Sequence, residues 1–194
     1  MGRAGKSDKH VSHAPISAIV EEAAEPHMAR GKDVQISISK EFDPGPEPDI
    51  LKLPEVVHGI RNLVQNAVDF AQSTVWVDIG WTDESILVRI VDDGRGYTPQ
   101  VLSRIGDPFM RARPASEERP GYEGMGLGLF IAKTLLERTG AELSFANGRD
   151  SSVSASRPGE RTGAIVEVVW TRALLEAQPD LVRGPLGENT PLQP

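Results

Sequence analysis

Between residues 54 and 71 the apolar side chains Val56, Ile60, Leu63, Val64, Ala67, Val68 and Ala71 recur at spacings of three and four. That period lays one apolar stripe along a helix, and Pro54 suits its first turn, where a missing N–H costs nothing. The spacing predicts a helix over 54–71. A two-residue period follows: in "TVWVDIGW" Val75, Val77 and Ile79 alternate with Trp76 and Asp78, and "SILVRIV" follows after "TDE". These segments predict a hairpin of two strands, 74–81 and 85–91. Upstream, Val34, Ile36 and Ile38 alternate in a strand over 33–39, and residues 15–30 carry a short helix that ends near Pro26. The run "DPGPEPD" between them is a loop, because its prolines fix φ and remove backbone donors.

Farther on, Thr98 caps a short helix over 99–105, and a second one runs over 125–138 to a left-handed cap at Gly140. Residues 106–123, "GDPFMRARPASEERPGYE", combine prolines and charges with few apolar anchors, the composition of a functional lid or a disordered loop. "AELSFA" and "AIVEVVW" predict two more strands, joined by an exposed connection, "NGRDSSVSASRPGERTG". This order predicts an α/β (α+β) two-layer sandwich, with a mixed, mostly antiparallel sheet and three helices on one face. Residues 1–32 are expected to be a linker with a short helix from a preceding module. The compact domain then covers 33–172, with its lid at about 106–124, and residues 173–194 form a C-terminal tail.

The 194 residues suit one domain with extensions, and 39% hydrophobic against 25% charged is ordinary for a globular protein. A net charge of -7 argues against general binding to nucleic acid or direct contact with an anionic membrane. With no cysteine, disulfides and thiolate metal sites within the chain are excluded. No apolar run approaches a bilayer span, and the opening "MGRAGKSDKH" lacks a signal-peptide core, so a cytoplasmic location is expected.

Three motifs could carry chemistry. On the predicted long helix Asn62, Asn66 and Asp69 recur at i, i+4 and i+7 along one flank. They form either a solvated face or an oxygen-rich site for Mg2+, which takes few protein ligands and keeps waters and substrate phosphates. In "VDDGRGYTP" Asp92 and Asp93 end a strand and Gly94 and Gly96 permit a tight turn. This is an ordinary Asp-Gly turn, or a buried carboxylate that accepts a hydrogen bond from an exocyclic amine. In "GYEGMGLGLFIAKTLLERTG" glycines precede a helix start without the Lys-Ser/Thr of a Walker loop and without the preceding strand of a dinucleotide fingerprint. Bare amides at a helix N-terminus remain, and they attract anions.

Taken in order, "RNLVQNAVDFA", "VDDGRG", "DPFMRAR" and "GMGLGL" closely resemble the N, G1, F and G2 boxes of the histidine-kinase catalytic domain, of the GHKL superfamily with its Bergerat ATP-binding fold. The resemblance covers roughly residues 34–171. The text around the first two boxes and "EEAAEPH" is similar to the RegB/PrrB type of redox-responsive sensor kinase. The resemblance implies ATP and Mg2+ as cofactors and assigns roles. Asn66 ligates the metal, with Asn62 lining the same pocket. Asp92 reads the adenine amino group over Gly94 and Gly96. Phe109 anchors the lid and Arg111 meets phosphate, while Gly124, Gly126, Leu127 and Gly128 form the lid hinge and phosphate site.

Two departures sharpen the expectation. Hydrolysing branches of the superfamily usually carry a glutamate one turn before the metal asparagine, where this chain has Asn62. Losing that general base favours phosphoryl transfer to a protein over hydrolysis. Three residues after the metal asparagine many histidine kinases carry Lys or Arg toward the phosphates, where this chain has Asp69. Arg111, Arg113 or Lys133 is expected to supply the charge instead. His10 and His13 are expected to be linker residues, and His27 and His58 structural or exposed ones. The phosphoacceptor histidine is then expected on a separate dimerisation module of a longer, inner-membrane sensor kinase, with a response-regulator aspartate downstream. The rival readings are a non-catalytic nucleotide-binding regulatory module and a serine kinase of the anti-sigma-factor type.

Overall fold

A computed structural model of the protein describes residues 12–39, 45–103, 105, 125–148 and 159–176. In chain order its elements are β1 (His13–Pro15), α1 (Ile16–Ala24), a 3-10 turn (Glu25–His27), β2 (Asp33–Ile38), β3 (Asp49–Leu51) and α2 (Pro54–Phe70). There follow β4 (Thr74–Trp81), β5 (Ser85–Asp92), α3 (Pro99–Leu102), α4 (Met125–Glu137), β6 (Glu142–Asn147), β7 (Ala164–Thr171) and α5 (Arg172–Glu176).

The main sheet has the strand order β2-β4-β5-β7-β6. β2 runs parallel to β4, and the remaining neighbours are antiparallel. The parallel pair follows from the connection: after β2 the chain crosses over through α2 before it enters β4, as parallel neighbours require. α1, α2 and α4 pack side by side on one face, so the architecture is the expected mixed, mostly antiparallel two-layer sandwich. The stripe of α2 is buried, with Val56, Ile60, Leu63 and Val64 meeting Val75, Val77 and Ile79 from the sheet in one core. At the far end Trp170 is fully buried and donates its indole N–H to Thr139 Oγ1 at 2.9 Å, which ties β7 to the end of α4.

Four features depart from the sequence pattern. α1 is no bystander: Ile16, Ile19, Val20, Ala23 and Ala24 are buried in the same core, so part of the expected linker folds with the sheet. β1 and β3 form a separate two-stranded antiparallel pair, three residues each, too short to show a period. The third concerns the connection expected to be exposed between β6 and β7. Its described part lies against the outer face of the sheet, where Arg161 forks onto both oxygens of Asp78, with Nη2 at 3.0 Å from Oδ1, and stacks over Trp76 at 5.3 Å. All eight residues of β4 are buried: Val75, Val77 and Ile79 in the core, and Trp76 and Asp78 beneath Arg161. α3 ends at Leu102, short of the predicted Ile105, although Thr98 does cap it. Among the described residues no helix is long and apolar enough to cross a membrane.

Close packing of α2 on α4 depends on Gly59, where a Cβ would stand 2.5 Å from Leu136 Cγ, and Leu136 is itself fully buried. Gly59→Val should therefore destabilise the fold by about 1–3 kcal/mol through overpacking, although glycine is a poor helix former. A thermal melt followed by circular dichroism checks this; an unchanged or raised melting temperature would contradict the packing.

Candidate functional site

β5 carries its last residues, and the two aspartates that follow its apolar run, to the edge of the core beneath the end of α2. Asp93 is fully buried, yet its carboxylate is well supplied with donors. Oδ1 accepts from the amides of Gln72, Ser73 and Thr74 at 2.8, 3.0 and 3.1 Å. Oδ2 accepts from the Ser73 hydroxyl at 2.6 Å and from the Gly159 amide at 2.8 Å. Burial pushes this carboxyl up, but the Ser73 hydroxyl and the amides of Gly159, Ser73 and Thr74 outweigh it and hold the pKa at about 2. Asp93 thereby fastens the α2–β4 connection, the end of β5 and the β6–β7 connection to one another.

Asp92, one residue earlier, has the opposite balance. It is 2% exposed, and its Oδ1 accepts from the amides of Gly94 at 2.7 Å and Ala164 at 3.1 Å. Burial dominates, the two amides only partly offset it, the neighbouring Asp93 charge adds to it, and the pKa rises to about 6.

Glycines frame that carboxylate. A Cβ on Gly94 would run into the carbonyl oxygen of Phe70, at the last residue of α2. One on Gly163 would strike Asp92 Oδ1 and stand 2.6 Å from the Gly94 amide. Gly96 has φ 75°, and a Cβ there would lie 2.6 Å from Asn147 Oδ1. The Asn147 amide holds this turn at both ends of one residue, accepting from the Tyr97 N–H at 2.7 Å and donating to the Tyr97 carbonyl at 2.9 Å. Tyr97 is buried edge-on against Phe145, with ring centroids 6.2 Å apart. Burial first, and then the Asp92 charge, push its phenol above the ordinary range.

On the flank of α2 Asn62 turns back along its own helix and donates to the His58 carbonyl at 2.8 Å. The half-buried Asn66 side chain makes no hydrogen bond to another described residue. Asp69, one turn later, pairs with Arg30 at 2.8 Å. Lys133 is bound to Glu137 at 2.5 Å, toward the C-terminal end of α4 and away from its first turn. Gly126 and Leu127 stand in that first turn, and a Cβ on Gly128 would meet no described atom within 4 Å. Phe109, Arg111, Arg113 and Gly124 lie outside the described residues.

Residues 52–172 match the family described as histidine kinase-, DNA gyrase B- and HSP90-like ATPase. The chain belongs to that family. Within it, the chain is 56% identical over 198 aligned positions to the sensor histidine kinase RegB of Cereibacter sphaeroides, a match covering 100% of this chain and 42% of the relative. It thus spans less than half the length of that curated relative. Among solved structures, the mycobacterial sensor histidine kinase MprB matches with a TM-score of 0.58 at 18% identity, over 82% of this chain and 96% of that one. Full-length ShkA in complex with AMPPNP matches with a TM-score of 0.56 at 20% identity, over 82% of this chain and 31% of that one. At those identities the two structures speak for the fold of the ATPase family alone.

Against this ATPase fold the sequence pattern located Asn66, Asp92, Gly94 and Gly96 at neighbouring elements, but it missed Gly163, Asn147 and Phe70. Gly163 lies 71 positions from Asp92, and only the pairing of β5 with β7 brings them together. The one local signal was a glycine directly before a strand.

The two aspartates should separate in a pH-stability profile. Asp92 has its pKa raised, so the stability tied to its protonated form is present below about pH 4 and lost as pH rises through about 6. Asp92→Asn should therefore gain about 3 kcal/mol above pH 6 and nothing near pH 3. Asp93 has its pKa lowered, so its contribution is present above about pH 4 and lost as pH falls through about 2. Asp93→Ala leaves buried amides unpaired and should cost about 3 kcal/mol at neutral pH. Urea unfolding at stepped pH checks both signs.

Proposed function

We propose that this chain is the ATP-binding catalytic unit of a two-component sensor histidine kinase. It binds Mg-ATP among α2, the turn after β5 and the first turn of α4. It transfers the γ-phosphoryl group to a histidine on the separate dimerisation module of the same kinase, from which a response-regulator aspartate takes it. The observation that carries this reading is the Asp92 carboxylate, buried and held by the Gly94 and Ala164 amides inside a cradle that any Cβ at Gly94 or Gly163 would fill. Identity to RegB over the whole chain supports the kinase branch of the family.

The residues fit these cofactors. The Asp92 carboxylate accepts from the adenine amino group, while Gly94 and Gly96 keep side chains off the floor beneath the base. Asn66 offers an uncommitted amide oxygen one helical flank away. Mg2+, when bound, neutralises charge on the phosphate oxygens, and it needs only one or two protein ligands because phosphates and water complete its shell. The amides that begin α4 face anionic oxygens with unpaired N–H groups. Asn62 holds its own helix carbonyl and carries no carboxylate, so the pocket lacks a base at the position that would activate water. The protein contributes positioning and preorganised charge, and phosphoryl transfer draws almost all of its catalysis from these two sources.

Calorimetric titration with a non-hydrolysable ATP analogue and Mg2+ tests the binding half. Wild type should bind, Asp92→Ala should not, and Gly163→Ala should lose at least tenfold because its methyl displaces the Asp92 carboxylate. No heat at millimolar ligand would sink the proposal. Adding the dimerisation module with γ-labelled ATP tests the transfer half: acid-labile label on histidine is expected. An unlabelled module would favour a regulatory nucleotide-binding role, and acid-stable label a serine kinase.

A further inference from the structure

The charge expected at the phosphates is displaced in this chain, because Asp69 stands one turn after Asn66 where a cation would serve a triphosphate. An unpaired carboxylate there would repel the ligand, since residues three apart on a helix lie only about 5–6 Å apart at Cβ. The structure answers it with a side chain from another element. Arg30, in the turn before β2, places Nη2 2.8 Å from Asp69 Oδ1, and Nη1 lies 3.4 Å from His27 Nδ1. His27 is buried, and burial, then the Arg30 charge, lower its pKa, with Asp69 opposing; a neutral ring accepts from the guanidinium at Nδ1. Arg30 is thus clamped from two sides across the last turns of α2, with its side chain still 44% exposed.

The described lysines near these elements are committed elsewhere. Lys32 donates to the Gln72 carbonyl at 2.6 Å, Lys52 pairs with Glu22, and Lys133 pairs with Glu137. A guanidinium has five N–H donors in a planar fork that suits phosphate oxygens, and the two contacts made by Arg30 leave part of that fork unused.

We propose that Arg30, held in place by Asp69 and His27, is the phosphate-binding cation of this nucleotide site. An arginine delivered from the turn before β2 here does the work of a basic residue on α2. The proposal rests on the nucleotide-binding reading above and adds to it a named phosphate ligand. It also gives Asp69 a purpose: it positions the cation and is neutralised by it.

The test compares ATP with adenosine, by calorimetry and by NMR titration respectively, in wild type, Arg30→Ala, Lys52→Ala and the double variant Arg30→Ala/Asp69→Lys. Arg30→Ala should weaken ATP at least tenfold and leave adenosine unchanged, Lys52→Ala, which removes a cation already paired with Glu22, should change ATP less than threefold, and the double variant should regain most of the ATP affinity without restoring the ion pair. Arg30→Gln, which keeps a hydrogen-bond donor at that position, carries the same expectation as Arg30→Ala if the alanine variant folds poorly. ATP affinity unchanged in Arg30→Ala, or an equal loss for ATP and adenosine, would overturn the assignment while wild-type binding left the proposed function standing. Failure of wild type to bind ATP would overturn both.

Discussion

Two adjacent carboxylates at the end of β5, given opposite surroundings, organise the rest of the molecule. Asp93 receives more hydrogen bonds than an aspartate usually finds, and nearly all of them come from backbone: the start of β4, the connection after α2 and the segment before β7 all meet on it. That fixes the height of α2 above the sheet and the position of Gly163 beside the turn. Asp92 receives fewer donors for nearly the same burial, and so it keeps acceptor capacity at a cost in stability. A buried carboxylate so poorly compensated is a common mark of a site that waits for a donor.

How much of this was legible in the sequence depends on the range of the interaction concerned. The stripe of α2, the β4–β5 hairpin and the left-handed end of α4 at Gly140 are local, and the pattern showed them. Asp92 was legible as a polar break closing an apolar strand, and Asn66 as a polar flank beside a buried stripe. The difference between Asp92 and Asp93 was not, because it arises from Ser73, Gly159 and Ala164, all remote in the chain and joined only by the sheet. Gly163 looked like any glycine in a polar loop for the same reason. Arg161 was hidden inside an apparently exposed stretch, since its partners Asp78 and Trp76 lie on the outer face of β4, far from it in the chain.

The helix layer shows how a departure from a family pattern can be absorbed. In the proposed nucleotide site Asp69 is an anion where a triphosphate calls for a cation, and the chain that follows α1, five of whose residues belong to the core, carries Arg30 to it. Exposed ion pairs contribute little to stability, about 0–1 kcal/mol. The value of this pair lies in where it holds a guanidinium. Asn62, an amide whose side chain folds onto the His58 carbonyl, puts no carboxylate on the flank of Asn66.

Carboxyl-detected NMR titration of Asp92 and Asp93, with and without an adenine nucleotide, bears most directly on this division of labour. Asp92 should titrate near pH 6 in the free protein and shift downward when the nucleotide binds, because a donated hydrogen bond favours the charged form, while Asp93 stays ionised to about pH 2 in both states. An Asp92 that titrates as an ordinary aspartate and ignores the nucleotide would contradict it.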